Sequence, residues 1–183
     1  KSCEAFAQCG MAVTLAVPFR FGTVGKDPFE HYAVKRLFPL KRLFSIDLFW
    51  IPFFPRRAAF YVHAAAFAAA ALWYVARRAK GNAVLYSRDY VTLLFLSMAG
   101  FRPVAEIHDY RARRPKAAIR FILKKARKVI VNSEGTKALL LSHYLLPPEK
   151  LRVVPNGVDP AFFRIPETIE EAREQLGMPK QKM

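Results

Sequence analysis

The amino-acid sequence predicts an α/β fold with a mostly parallel sheet and helices on its faces. Short apolar runs rich in β-branched residues alternate with longer helical patterns, which is typical of parallel strands joined by helical crossovers. Apolar residues make up 53% of the 183 residues, so one domain with a substantial core can form. Polar side chains follow the apolar runs directly, and open α/β sheets bind their ligands at the carboxyl ends of their strands.

Pro and Gly residues divide the first half of the chain into its predicted elements. Gly10 ends a helix, Pro18 ends a strand, and Pro55 precedes a long Ala-rich helix. The predicted elements are a helix over Ser2–Gln8, a strand over residues 13–17, an irregular segment over 21–39, a strand over 42–50 and a helix over Arg56–Arg78.

The second half alternates more regularly between strand and helix patterns. Gly100 suits a helix end, Pro115 the first turn of a helix and Ser133 an N-cap. The predicted strands cover residues 83–86, Val104–Ile107, Lys128–Val131 and 151–154. The predicted helices cover residues 90–99, 115–126, 134–146 and 167–176.

The charge of the chain favours an anionic partner. Lys and Arg outnumber Asp and Glu by 30 to 14, which gives a formal net charge of +16. One face of the predicted helix 115–126 is basic, through Lys116, Arg120, Lys124 and Arg127. This face is either solvated or in contact with anionic lipid headgroups. Nucleic acid is the least favoured partner, because no recognised binding motif accompanies the charge.

Two further features bear on the compartment. Cys3 and Cys9 lack the spacing of a disulfide framework or a zinc site, which favours reduced thiols in a cytosolic protein. Residues 58–76 carry no formal charge and reach the length of a membrane span. A helix that crosses one face of the sheet in a soluble domain explains the same pattern, and His63 and the many Ala residues favour it.

Chemistry-capable side chains follow the predicted strands. They are Arg20, Arg88 with Asp89, His108 with Asp109, Asn132 with Ser133 and Glu134, and Asn156 with Gly157. Because the carboxyl ends of parallel strands share one edge of a sheet, we expect these residues to collect there. The GxGxxG, P-loop and GxSxG patterns are absent, so the sequence contains no complete dinucleotide or nucleoside triphosphate site of those types.

His108 is the leading candidate among these residues. It can accept a proton near neutral pH or bind a substrate hydroxyl. The alternative is a structural role, as a loop histidine that hydrogen-bonds to the backbone. Asp109 is adjacent on a strand and points the opposite way, so a His–Asp dyad is not implied. Arg88 and Arg20 suit phosphate binding or plain solvation. Ser133 and Glu134 open a helix that could hold an anion or a sugar hydroxyl, or Ser133 simply caps it.

Five short stretches carry a resemblance to a known family. They are LYSRD at 85–89, IHD at 107–109, VIVNSE at 129–134, VVPNGVD at 153–159 and EAREQLGMP at 171–179. Their order and spacing resemble the retaining GT-B glycosyltransferases of family 4. The resemblance implies one half of a GT-B fold, with residues 1–155 as a Rossmann-like acceptor domain whose first strand would precede Lys1. Residues 156–183 would form the hinge, at Asn156 and Gly157, and the first helix of a donor domain.

The resemblance also implies an activity and its partners. A hexosyl-type transfer would move sugar from a nucleotide-sugar to a lipid-linked or glycan acceptor, with no metal or cofactor and no nucleic acid. His108 would lie near the reacting groups. Arg88, Asp109, Ser133 and Glu134 would bind the acceptor. The enzyme would be cytoplasmic, peripheral on the inner face of the membrane, and the chain inactive without its donor half. The alternative is a non-catalytic module that binds an anionic membrane surface.

Overall fold

The computed structural model describes residues 1–20, 27–79, 81–108, 116–157 and 168–178. The helices in these ranges are α1 (Ser2–Gln8), α2 (Pro28–His31), α3 (Arg56–Arg78), α4 (Tyr90–Met98), α5 (Lys116–Lys125), α6 (Glu134–His143) and α7 (Ile169–Gln175), with a 3₁₀ turn at Pro148–Lys150. The strands are β1 (Leu15–Pro18), β2 (Leu40–Leu43), β3 (Tyr86–Ser87), β4 (Val104–Ile107), β5 (Lys128–Val131) and β6 (Leu151–Val153).

Every strand pair in the described residues is parallel, which confirms the predicted α/β class. The strands form a four-stranded sheet in the order β3-β4-β5-β6 and a separate two-stranded sheet, β1-β2. Ile107 pairs with Val131, and Val131 pairs with Val153, so the last three strands end level with one another. The fold is therefore Rossmann-like, as expected for one half of a GT-B fold, and its strands are divided between two sheets.

The hydrophobic core lies on one face of the four-stranded sheet. Right-handed crossovers between strands that follow one another in order place their helices on the same face. The sheet contributes Ala105, Ile107, Val129, Val131 and Leu151 to this core, and α4, α5 and α6 contribute Leu93, Ile119, Ile122, Leu123 and Leu140. The apolar stripe predicted for α5 is thus buried, and its basic residues are exposed on the opposite side.

Two of the predicted strands are displaced. The strand expected at 42–50 is wrong beyond Leu43, because β2 ends there and Asp47 Oδ1 accepts a hydrogen bond from Phe49 N at 3.1 Å, which turns the chain. The aromatic residues of this stretch, Phe44, Phe49 and Trp50, are exposed. The strand expected at 83–86 lies at Tyr86–Ser87, where it pairs with β4.

Two segments differ from the predicted helical pattern. The irregular segment 21–39 contains α2, which begins because Asp27 accepts a hydrogen bond from Phe29 N and Pro28 occupies the first turn. Helix α6 ends at His143 rather than at 146, since Tyr144 takes an extended conformation and its side chain is buried in the core. Pro115, expected in the first turn of α5, lies outside the described residues.

Helix α3 covers the residues predicted for it and packs against α4 and the two-stranded sheet. Four alanines, Ala59, Ala64, Ala68 and Ala71, are its buried residues. In the described residues α3 is the one helix long and apolar enough to cross a membrane by length and composition. Those criteria alone do not distinguish a span from a helix on the surface of a domain.

Candidate functional site

The candidate site lies where β3, β4 and β5 end. Ser87 pairs with Ala105, which places Arg88 beside Glu106. Ile107 pairs with Val131, which places His108 beside Asn132. The register therefore brings the ends of three strands to one edge of the four-stranded sheet, as expected.

A buried carboxylate, Glu106, connects the side chains at this edge. Tyr86 Oη donates a hydrogen bond to Glu106 Oε2, and His108 Nε2 contacts Glu106 Oε1. Arg88 Nε lies 3.9 Å from Glu106 Oε2. Glu106 is among the buried charged residues of the chain, whereas Arg88 is exposed. The structure thus joins His108 and Arg88, both predicted site residues, through a carboxylate that lies between them.

Strand geometry explains why Glu106 reaches His108. Successive side chains of a strand point to opposite faces, so Glu106 and His108 share a face while Ile107 points into the core. Tyr86 lies on the same face of β3, and Phe6 of α1 packs on its ring with the centroids 5.6 Å apart. Helix α1 and Tyr86 therefore shield the carboxylate from water on that face.

The contact with Glu106 assigns the hydrogen of the His108 ring. A carboxylate only accepts hydrogen bonds when it is ionised, so the hydrogen belongs on Nε2 and Nδ1 carries a lone pair in the neutral ring. No partner for Nδ1 occurs among the described residues. A histidine fixed in this way can accept a proton from a hydroxyl at Nδ1.

Tyr86 is held protonated in the same cluster. Partial burial raises the pKa of Tyr86 well above its ordinary value, and the hydrogen bond to Glu106 and the charge of Glu106 raise it further. Arg88 acts in the opposite direction on the pKa of Tyr86. At neutral pH Tyr86 is therefore a hydrogen-bond donor to Glu106 and not a base.

The end of β5 is organised by helix capping. Ser133 Oγ accepts a hydrogen bond from Thr136 N at 3.1 Å, which confirms Ser133 as the N-cap of α6. Asn132 Oδ1 accepts a hydrogen bond from the Thr136 hydroxyl at 3.3 Å. Glu134 is exposed, with its carboxylate 3.6 Å from Lys137 Nζ. The roles of Ser133 and Glu134 in acceptor binding stay predictions.

The remaining predicted residues lie at the borders of the described chain. Asp109 lies outside the described residues. Asn156 and Gly157 follow β6 as exposed residues without helix or strand structure, so their role as a hinge stays a prediction. Arg20 lies 3.6 Å from the buried Asp47 and stacks on Phe49 with its guanidinium carbon 4.9 Å from the ring centroid. These contacts favour a structural role for Arg20.

A largely apolar cavity of about 360 Å³ lies beside the two-stranded sheet. Its wall includes Phe19, Phe29, Phe38, Arg20 and Arg42. Helix α1 borders this cavity through Cys3 and borders the Glu106 cluster through Phe6. In the ranges that the structure describes, no group of three or more His, Cys, Asp and Glu side chains is placed to hold a metal.

Sequence reasoning missed Glu106, the residue that organises this site. The signal was present, because Glu106 is the one charged residue within the strand Val104–Ile107 and lies two positions before His108. A charge in a strand whose other positions are apolar, on the same face as a candidate histidine, indicates a contact between the two.

A parallel α/β domain with polar side chains collected at the strand ends has the architecture of one half of a GT-B enzyme. The family model described as Glycosyltransferase Family 4 matches residues 2–162. The chain belongs to this family, as the acceptor-side, N-terminal domain of a glycosyltransferase. A search of curated proteins finds no match.

Proposed function

We propose that this chain is the acceptor-side half of a retaining glycosyltransferase of the hexosyl type. The complete enzyme, with both halves, would transfer sugar from a nucleotide-sugar to a lipid-linked or glycan acceptor. The observation that carries the proposal is the cluster at the strand ends, where Glu106 contacts His108 Nε2 and no partner for Nδ1 occurs in the described part of the chain. Membership of glycosyltransferase family 4 gives this cluster its chemical context.

The reaction requires a group that accepts one proton. The bond between sugar C1 and the phosphate oxygen breaks, and a bond from C1 to the acceptor oxygen forms on the same face of the sugar, which retains the configuration. The acceptor hydroxyl loses its proton. Nδ1 of His108 can bind that hydroxyl and take the proton, while the Glu106 carboxylate stabilises the charged ring. The nucleoside diphosphate leaves with the electron pair of the broken bond. No metal or other cofactor takes part in this scheme.

The donor phosphates need positive charge that this cluster supplies only in part. Arg88 is exposed at the edge, 3.9 Å from Glu106, and can meet an anion there. The remaining groups belong to a second domain, for which residues 156–183 would be the hinge and first helix. Closure of two domains around the substrates excludes water from the reacting groups. On this proposal the 183-residue chain does not transfer sugar by itself.

Acceptor binding falls to the same edge of the sheet. Arg88, Asp109, Ser133 and Glu134 are the proposed contacts, beside Asn132, which the register places next to His108. A lipid-linked acceptor would place the enzyme at the cytoplasmic face of a membrane as a peripheral protein. The exposed surface of α3, uncharged between the arginines at its two ends, supports that location and also supports a second candidate function, a membrane-surface module without catalysis.

A transfer assay tests the catalytic proposal. It uses the intact protein, by which we mean this chain together with its donor domain. Release of nucleoside diphosphate is measured with UDP-glucose, UDP-galactose and GDP-mannose as donors. Binding of each donor is measured by calorimetry. We expect His108→Ala to lower the rate at least about a hundredfold, the lower end of the usual contribution of one acid–base group. His143→Ala, at an exposed position on α6, serves as the matched control and should leave the rate unchanged.

Two outcomes contradict the proposal. If the intact protein binds none of the nucleotide-sugars, the proposed transfer from a nucleotide-sugar donor is wrong. If it transfers sugar and His108→Ala transfers at the parent rate, the role given to His108 is wrong. The non-catalytic candidate predicts vesicle binding with no transfer under any of these conditions.

A further inference from the structure

The outward side of α3 is an unusual surface for a helix bathed in water. Its exposed positions Ala58, Val62, Ala69, Trp73 and Ala76 recur at helical spacing along one side. We call these five residues the outer face of α3. No residue from 58 to 76 is charged, so neither this face nor its flanks carry the charged residues expected of a solvated helix. The face is about 27 Å long at 1.5 Å per residue.

Exposed aromatic residues extend this surface from the neighbouring segment. Phe44, Trp50 and Phe53 are all exposed, and Phe53 is fully so. The segment is held against α3, since His63 Nδ1 lies 3.3 Å from Ile46 O and its ring contacts that of Phe49. Phe53 has a φ of 66°, a left-handed conformation that a bulky residue rarely adopts. A fully exposed phenylalanine buries no apolar surface, so its position on a strained backbone does not stabilise the fold.

Positive charge surrounds the apolar surface. Arg56 and Arg57 occupy the first turn of α3, where no acidic residue accompanies them and the helix dipole disfavours a cation. Arg77 and Arg78 occupy the last turn, and Arg77 stacks on Trp73 at 4.8 Å. The acidic residue of the adjoining segment, Asp47, is buried next to Arg20. The surface therefore presents apolar and aromatic groups within a basic border.

We propose that the outer face of α3 and the segment 44–53 dock onto an anionic membrane, with α3 lying in the plane of the interface. Aromatic side chains at the headgroup level and basic residues beside acidic lipids are what such a contact requires. The proposal rests on the membrane association proposed above, and it does not depend on sugar transfer. It places the contact on α3 and not on the basic face of α5.

The packing of α3 excludes the alternative that it crosses the bilayer in this fold. Ala64, Ala68 and Ala71 are buried on the side of α3 opposite its outer face, and α3 also contacts β1 and β2. A crossing helix would carry α4 and the two-stranded sheet into the hydrocarbon. Within the described residues that sheet has only two strands, so its edges expose backbone groups that lipid cannot satisfy. An orientation parallel to the surface leaves these elements in water.

The two tryptophans of the chain are reporters of this surface. Trp50 and Trp73 are the only tryptophans in the sequence, and both belong to the proposed contact, at 68% and 60% exposure. The variants Trp50→Phe and Trp73→Phe each leave one reporter. The probe is a vesicle of phosphatidylcholine with or without phosphatidylglycerol, in matched preparations that carry brominated acyl chains.

We expect the protein to float with vesicles that contain phosphatidylglycerol and not with phosphatidylcholine alone. Brominated chains should quench the fluorescence of both single-tryptophan variants. Each basic residue near an anionic surface raises the binding constant about fivefold, so Arg56→Gln/Arg57→Gln should weaken binding about 25-fold. Arg120→Gln/Lys124→Gln removes the same charge from the exposed face of α5 and should bind nearly as the parent does.

The controls separate this proposal from the catalytic one. His108→Ala should bind vesicles as the parent does, whatever its effect on transfer. Equal weakening by the two charge variants, flotation without quenching of Trp73, or no flotation at all would overturn the docking surface. A concentration-dependent dimer that protects Trp73 from a soluble quencher would assign the face to a second copy of the chain instead.

Discussion

The hydrogen bond from Tyr86 to Glu106 can be tested without any substrate. If the Tyr86 hydroxyl donates to the buried Glu106 carboxylate, the stability lost in Tyr86→Phe should depend on the presence of that carboxylate. A double-mutant cycle with Glu106→Leu measures this dependence as a coupling free energy. Leucine is close to glutamate in volume and removes every hydrogen-bond acceptor from the side chain.

The structure sets the expected magnitude of the coupling. A hydrogen bond to a charged group contributes roughly 1.5 to 3 kcal/mol to stability. Water competes for this one, because Tyr86 is 36% exposed, so we expect a coupling of about 1 kcal/mol. Glu106→Leu alone should change the free energy of unfolding by only about 1 kcal/mol. The lost hydrogen bonds are offset by relief from burying a charge.

Urea denaturation of the parent, the two single variants and the double variant supplies the four free energies. Tyr61→Phe is the matched control, since Tyr61 is exposed on α3, and its coupling to Glu106→Leu should be zero within error. A Tyr86–Glu106 coupling below about 0.3 kcal/mol, the scatter found for independent sites, would refute the contact. Glu106 would then be unable to link Tyr86 to His108.

Three other predictions follow from single contacts. The raised pKa of Tyr86 means that the folded state holds this proton more tightly, so its contribution to stability is present below pH 10 and lost above the raised value. In an absorbance titration one of the seven tyrosines should ionise late, and Tyr86→Phe should remove that phase. The hydrogen bond from Lys35 N, then the charge of Lys1, lowers the pKa of Glu4 below its ordinary 4.5. That contact stabilises the fold above pH 4.5 and is lost as the pH falls through the lowered value, a dependence of the urea midpoint that Glu4→Gln should abolish. Leu123→Ala, at a fully buried core position, should cost about 3 kcal/mol by urea denaturation, whereas Leu145→Ala at a fully exposed position should cost less than about 0.5 kcal/mol.

The sequence predicted best those elements whose boundaries are marked by local chemistry. Helix α3 lies between Pro55 and a basic last turn, and β5 lies between a basic residue and the polar Asn132, so both were bounded correctly. The residues after Leu43 show the opposite case. Their aromatic side chains favour a strand by propensity, but the Asp47 side chain bonds the backbone of Phe49 and diverts the chain.

The candidate site was predicted at the level of its edge and missed at the level of its contacts. Strand ends identified His108 and Arg88, because the edge of a parallel sheet follows from the order of strands. The contact partners depend on which face each side chain occupies and on the register between strands. Tyr86 meets Glu106 because β3 begins at Tyr86, three residues later than its apolar pattern indicates.

The place of Glu106 in the fold argues for function over stability. Its partners Tyr86, Arg88 and His108 all retain contact with water, so none of them needs a buried carboxylate for its own solvation. A charge inside a strand conflicts with the local pattern, and such conflicts in natural proteins concentrate at functional sites. The Glu106 carboxylate fixes one ring nitrogen of His108 and so presents the other nitrogen at the edge where β4 and β5 end. An apolar residue at position 106 would offer His108 no hydrogen-bond acceptor and would leave its ring free to rotate.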